Sequence, residues 1–284
     1  MERMKKIYRL LLLFVLILFI LSCSGQNDEE IKKVIERIEN VSGKTDEQKY
    51  TDLYVTGVLL ENKDVRTAEK YYLEAAKYKK SSYADIGRMY YRKVNKKKGI
   101  EKYKEGWKNG DSESANELGI IYDRYEKKPE EAEKWWKLAG EQGNASAQFS
   151  LGLMYEEKGE VSNSIKWYKK SAEQDNIKAQ YNLALLFKEK NMLKEAEYWY
   201  GKAAESGDTD SQNGLGIIYE KRQNYIEAEK WYKKSSEGGN KNGKYNLAYL
   251  YETIFKDFEK AKILYLELDD KNSMERIENM ERVK

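Results

Sequence analysis

The side chains able to do chemistry in this chain are few in kind. Histidine is absent and there is a single cysteine, Cys23. Without imidazole there is no Ser–His or Cys–His nucleophile pair and no metal site built on histidine. One thiol allows neither a disulfide within the chain nor a thiolate cluster. Carboxylates abound, but where 36% of residues are charged, two neighbouring acids do not indicate acid–base catalysis. The glycines do not fall at phosphate-cradle spacing. What remains is Cys23 and a run of aromatics: Trp135, Trp167, Trp199 and Trp231, followed by Trp136, Tyr168, Tyr200 and Tyr232. Such a ladder could stack a ligand, but small repeated units bury their faces only against each other, so inter-repeat core is the expected role. These features predict no enzyme, no cofactor and no metal.

Cys23 is explained by what precedes it. Arg3, Lys5, Lys6 and Arg9 form a basic start, and Leu10–Leu21 is an unbroken apolar run. The run is shorter than the roughly 20 residues a membrane-spanning helix needs, and fits a signal peptide. It closes in Ile20-Leu21-Ser22-Cys23, which resembles the bacterial lipoprotein signal. That resemblance implies cleavage after residue 22, acylation of Cys23, and a membrane-anchored protein of the cell envelope on the periplasmic or surface face. Two or three acyl chains hold firmly where one is marginal. Cleavage leaves 48 of the 52 basic and 48 of the 49 acidic residues, a net charge of zero. A neutral chain offers no clustered basic face for nucleic acid.

The elements that follow are helical and repeated. EAEKWWKLAGEQGN, NSIKWYKKSAEQDN, EAEYWYGKAAESGD and EAEKWYKKSSEGGN recur at 32-residue intervals, and one proline stands in 284 residues. The first half of each unit reads LGIIY (118–122), LGLMY (151–155), LALLF (183–187), LGIIY (215–219) and LAYLY (247–251), with IGRMY (86–90) before them. Leucine and aromatic stand four apart on one helix face, and the Gly or Ala between them lets a second helix approach. The second half sets a small residue four before an aromatic, as in Ala132/Trp136, Ser164/Tyr168, Ala196/Tyr200 and Ala228/Tyr232. Gly-Asp, Gly-Asn or Asp-Asn joins one unit to the next, the first residue ending a helix and the second capping its successor. Gly159, Asn191 and Asn224 mark turns inside units, and Pro129 suits a first helical turn.

The predicted fold is an all-α, α-α superhelix (solenoid) of about seven helix-turn-helix repeats of about 32 residues. The expected divisions are a signal over 1–22, a lipidated start and short tether or capping helix over 23–49, the array over 50–268, and a C-terminal capping helix over 269–284. The tether helix carries Ile31, Val34, Ile35 and Ile38 on one side.

These motifs resemble the tetratricopeptide repeat, and the aromatic pair with its closing phrase resembles the Sel1-like repeat more specifically. The inter-helix loops are shorter than is common in Sel1-like units. The cysteine-rich branch, some members of which act on β-lactams, staples each repeat with a cysteine pair absent here, so that activity does not transfer. The resemblance implies a non-enzymatic scaffold binding a protein or peptide partner along the concave side lined by first helices. Two rows follow on that side: Asn116, Phe149, Tyr181, Asn213 and Tyr245, and the mostly acidic Asp123, Glu156, Lys188, Glu220 and Glu252, with Tyr91 at the same position earlier. The first offers amides and aromatics to an extended peptide. The second either favours a basic partner or is a solvated charged face. The alternative is an envelope enzyme or binding protein acting on cell-wall material.

Overall fold

The computed structural model describes residues 44–282. Cys23 and the 26–44 tether helix, apart from Lys44, lie outside them. Among the described residues the fold is all-α, with no strand. Two compact units divide at Gln142 and Gly143.

The first unit holds three helical hairpins: α1 (Asp46–Leu60) with α2 (Val65–Ala75), α3 (Ser82–Lys93) with α4 (Lys96–Lys108), and α5 (Ser112–Arg124) with α6 (Pro129–Glu141). The second holds four: α7 (Ala145–Glu157) with α8 (Val161–Ala172), α9 (Ile177–Glu189) with α10 (Leu193–Glu205), α11 (Thr209–Lys221) with α12 (Tyr225–Glu237), and α13 (Lys241–Leu250) with α14 (Phe258–Leu268). α15 (Lys271–Arg282) follows the last hairpin.

The joints form as the sequence pattern requires. Gly207 adopts φ +92°, and Asp208 then accepts from the Ser211 N–H at 2.7 Å to start α11. Asp175 takes the equivalent left-handed place at φ +59° without glycine's freedom, and Asn176 caps α9 through the Ala179 N–H at 3.2 Å. Inside hairpins the left-handed residue is Gly159 or Asn191, but in the sixth it is Gln223. Asn224 there is instead the N-cap, accepting from Glu227 N–H at 3.3 Å.

Two hairpins carry one extra residue between their helices, and the backbone shows where it goes. In the fourth to sixth hairpins the closing amide reaches back five residues, as Met192 N–H does to Phe187 C=O at 2.9 Å. Lys128 N–H reaches back six to Tyr122 C=O at 2.8 Å, and Asp257 N–H six to Tyr251 C=O at 2.9 Å. The last case is a π-helical turn over Tyr251–Phe255 with Lys256 left-handed at φ +58°, an ordinary way to absorb an insertion in a helix.

Within each hairpin the second-helix aromatic lies flat against the first helix. Tyr72, Tyr168, Tyr200, Tyr232 and Tyr265 are all no more than 1% exposed. Glycine makes the approach possible: a Cβ on Gly152 would stand 2.3 Å from the Tyr168 ring, and one on Gly216 the same distance from Tyr232. Successive hairpins are clasped by side chains on backbone. Gln180 Nε2 donates to Ala172 C=O at 3.1 Å and Gln212 Nε2 to Ala204 C=O at 3.2 Å, each joining a first helix to the second helix before it.

Gly152→Ala is expected to destabilise the protein despite its better helix propensity. Forcing the buried Tyr168 ring aside costs about 1–3 kcal/mol, against about 1 kcal/mol gained by alanine in a helix. A lower urea midpoint for Gly152→Ala would bear this out; an unchanged or higher one would show that the ring moves freely.

Candidate partner-binding face

The first row of expected binding residues lies half in the core. In the second unit Phe149 packs on Tyr168 with ring centroids 5.7 Å apart, Tyr181 on Tyr200 at 5.9 Å, and Tyr245 on Tyr265 at 5.6 Å. Each is partly exposed while packed on the hairpin's buried tyrosine. Asn213 accepts from Asn246 Nδ2 at 2.8 Å, an amide pair spanning α11 and α13. Burial of the tyrosines beneath raises the phenol pKa of Tyr200 and Tyr232, keeping them neutral donors. In the first unit Asn116 is only 3% exposed, with its Oδ1 buried and without a hydrogen-bond partner. It is a core residue, unlike its counterparts.

Three members of the second row accept hydrogen bonds from buried phenols. Tyr168 Oη donates to Glu156 at 2.6 Å, Tyr232 Oη to Glu220 at 2.6 Å, and Tyr265 Oη to Glu252 at 2.9 Å, where Arg276 Nε adds a bond at 3.0 Å. The carboxylates are the acceptors that let phenols be buried. Lys188 holds the same position beside Tyr200, and Asp123 faces a hairpin whose second helix carries Trp136 instead of tyrosine.

A reciprocal set joins neighbouring hairpins. Tyr90 Oη on α3 donates to Glu69 on α2 at 2.7 Å, and Tyr251 Oη after α13 to Glu229 on α12 at 2.6 Å. Tyr219 on α11 bonds Glu197 on α10, and this, with burial, pushes its phenol up to about 12. Burial raises the Glu197 carboxyl, but its bonds to Tyr219 and Arg222 outweigh that and hold it below the usual range.

Five of the six tryptophans lie in or against the core. Trp136, Trp167 and Trp199 are 6–8% exposed, and Trp135 and Trp231 pack against buried clusters. Lys170 and Lys234 sit over the rings of Trp167 and Trp231 at 4.6 and 4.4 Å, each covering a face a ligand would need.

Two features escaped the sequence reading. Tyr54 continues the first row in the degenerate first hairpin, 5.7 Å from Tyr72, and Glu61 accepts from Tyr72 Oη at 2.6 Å. The signal was a first-helix Glu followed by a second-helix Tyr, hidden because the separation drifts from 11 to 13 residues. The other is a charged cluster in which Arg88 binds Asp85 at 2.6 Å and Glu117 at 2.8 Å. Asp85 and Glu117 both stand one residue before the repeat's Ile or Leu, a position that carries no acid in the later hairpins. Burial pushes the Asp85 carboxyl up to about 6; Glu61 and Asp111 add to this, and Arg88 opposes it. The Asp85 side chain is 14% exposed.

The Sel1 repeat family model matches residues 52–77, 112–144, 145–176, 177–208, 209–240 and 242–267. The chain belongs to the Sel1 repeat family. None of the curated proteins matches it significantly. Among solved structures it is similar to a Sel1 repeat protein from Oxalobacter formigenes, at 21% identity over 66% of this chain and 87% of that one, TM-score 0.51. It is similar also to Pseudomonas aeruginosa pilF, at 14% identity over 72% and 97%, TM-score 0.54. A third is c5321, a protective antigen present in uropathogenic Escherichia coli strains with an SLR fold, at 22% identity over 90% and 67%, TM-score 0.45. The first two show the same fold. The stretch between the first two family matches is the α3–α4 hairpin, which holds Asp85 and Arg88.

Because folding raises the Asp85 pKa, the carboxylate opposes folding once it is charged. Its contribution is most favourable below about pH 4 and is lost as pH rises towards 6. Asp85→Asn is therefore expected to stabilise the protein at pH 7.5 by about 1–3 kcal/mol and by much less at pH 4. Urea unfolding at both pH values checks this; destabilisation at pH 7.5 would mean that the Arg88 ion pair outweighs burial.

Proposed function

We propose that this Sel1 repeat protein is a non-enzymatic scaffold that holds an extended peptide segment of a protein partner at the bacterial cell envelope. The observation that carries the reading is the row Phe149, Tyr181, Asn213 and Tyr245. It places a half-exposed aromatic or amide on four successive first helices of one compact unit. Aromatics supply contact area at low entropic cost, and amides can pair with a peptide backbone. The acidic row contributes less, since Glu156, Glu220 and Glu252 already serve buried tyrosines. Membrane attachment rests on Ile20-Leu21-Ser22-Cys23, outside the described residues. No described helix is long and apolar enough to cross a membrane. The described residues contain no His/Cys/Asp/Glu group arranged to hold a metal.

In cells, Tyr181→Ala with Tyr245→Ala is expected to reduce cross-linked partner capture at least tenfold. Both rings pack on core tyrosines, so the helical circular dichroism and melting curve must be compared, and Tyr181→Phe with Tyr245→Phe should retain the packing. Full capture by a folded double-alanine variant would exclude this face. Separately, Cys23→Ala is expected to abolish incorporation of labelled fatty acid and shift the protein out of the membrane fraction. Retained label would place the acyl group elsewhere.

A further inference from the structure

The second unit ends in a recess that the repeat pattern does not call for. The starts of α13 and α15 and the end of α14 line an open recess of about 530 Å³. Its polar wall is made by Lys241 and Asn242 from α13 and Lys271 and Asn272 from α15; Leu268 and Tyr245 form the apolar side.

The charges in the recess are unevenly committed. Lys244, one turn along α13, is paired with Glu267 at 2.7 Å. Asp270, the one carboxylate in the wall, has its two oxygens on Ser273 N–H at 2.9 Å and Ser273 Oγ at 3.1 Å, where it caps α15. Lys241 and Lys271 have no ion pair or hydrogen bond among the described residues, although the Lys241 charge is near enough to help hold the Asp270 carboxyl below its usual range. An ammonium offers three donors and no acceptor, and each asparagine adds two more donors. The recess therefore presents an excess of donors and positive charge beside Leu268, which is only 8% exposed.

The geometry points to a binding site for an oxyanion, a carboxylate or a phosphate, carried on a short apolar stem. The oxyanion sits between the Lys241 and Lys271 ammonium groups and accepts from the Asn242 and Asn272 amides. The stem lies along Leu268 and the Tyr245 ring. Charge-assisted bonds to two lysines supply the selectivity for an anion, and the apolar wall selects against a bare inorganic ion. The site shares only Tyr245 with the peptide-binding row and requires no peptide.

The test is a titration of the full ¹⁵N-labelled chain with hexanoate, hexyl phosphate and hexanol, which carry the same stem under different heads, read at the Asn242, Tyr245 and Asn272 amides by NMR. At least one anion is expected to give saturable shifts with a Kd at least tenfold below that of hexanol. Lys241→Gln with Lys271→Gln should weaken it at least tenfold while leaving the melting curve in place, since both lysines are exposed. Saturation by hexanoate alone assigns a carboxylate ligand, and saturation by hexyl phosphate alone a phosphate ligand. Equal binding of hexanol, no saturable shift with either anion, or unchanged affinity in the double variant would overturn the site.

Discussion

Burying a phenol in a helical hairpin requires an acceptor for its hydroxyl, and most of the architecture seen here depends on how that requirement is met. An unsatisfied buried hydroxyl costs about 1–3 kcal/mol, comparable with what burying the ring contributes. Tyr168 and Tyr232 meet the cost with a first-helix glutamate in their own hairpin; Tyr90 and Tyr251 meet it with a second-helix glutamate in the hairpin before. The first set ties four of the hairpins internally, and the second ties the first hairpin to the second and the fifth, sixth and seventh to one another. The bonds are directional where apolar packing is not, and they hold the register of units whose surfaces are otherwise nearly alike.

This arrangement limits which side chains the first helices leave open. Glu156, Glu220 and Glu252 already accept from buried phenols, so the partly exposed aromatics and amides are what the proposed face would offer a partner. Those aromatics rest on the buried tyrosines, so their orientation is held before any ligand arrives, and pre-organised side chains lose less entropy on binding. On the proposed face, recognition and stability would share one set of rings, which is why a folding control belongs with every substitution there.

The places where the repeat departs from its own rule are the most individual. The α3–α4 hairpin places glycine at 99 and 106, where later units use alanine or serine; a Cβ on Gly99 would stand 2.4 Å from that of Tyr91. It is also where Arg88 bridges two acids, one of them buried enough to titrate near pH 6. At the other end of the array, the insertion before α14 is absorbed by a π-helical turn, and the start of α15 lines the recess of Lys241 and Lys271. Regular units build the frame, and irregular ones carry the unshared chemistry.

The 32-residue period, the helix boundaries and the capping joints were legible in the sequence because they are local: a Leu and an aromatic four apart, a Gly-Asp or Gly-Asn pair and a helical turn each involve residues within one or two turns of one another. The core role of the tryptophans followed too, since small repeated units cannot bury their faces alone. The use of Glu156, Glu220 and Glu252 was not legible, because a half-buried acceptor and a solvated charge look identical in a highly charged chain until the opposing tyrosine is placed. Asn116 and Asn213 occupy the same repeat position, yet one is buried and the other is paired across helices, a difference made by neighbours and not by residue type. The Asp85–Arg88–Glu117 cluster and the Lys241–Lys271 recess join residues about 30 apart in the chain. Only the docking of one hairpin or helix on the next brings their charges within reach, and only the burial that docking creates changes what those charges can do.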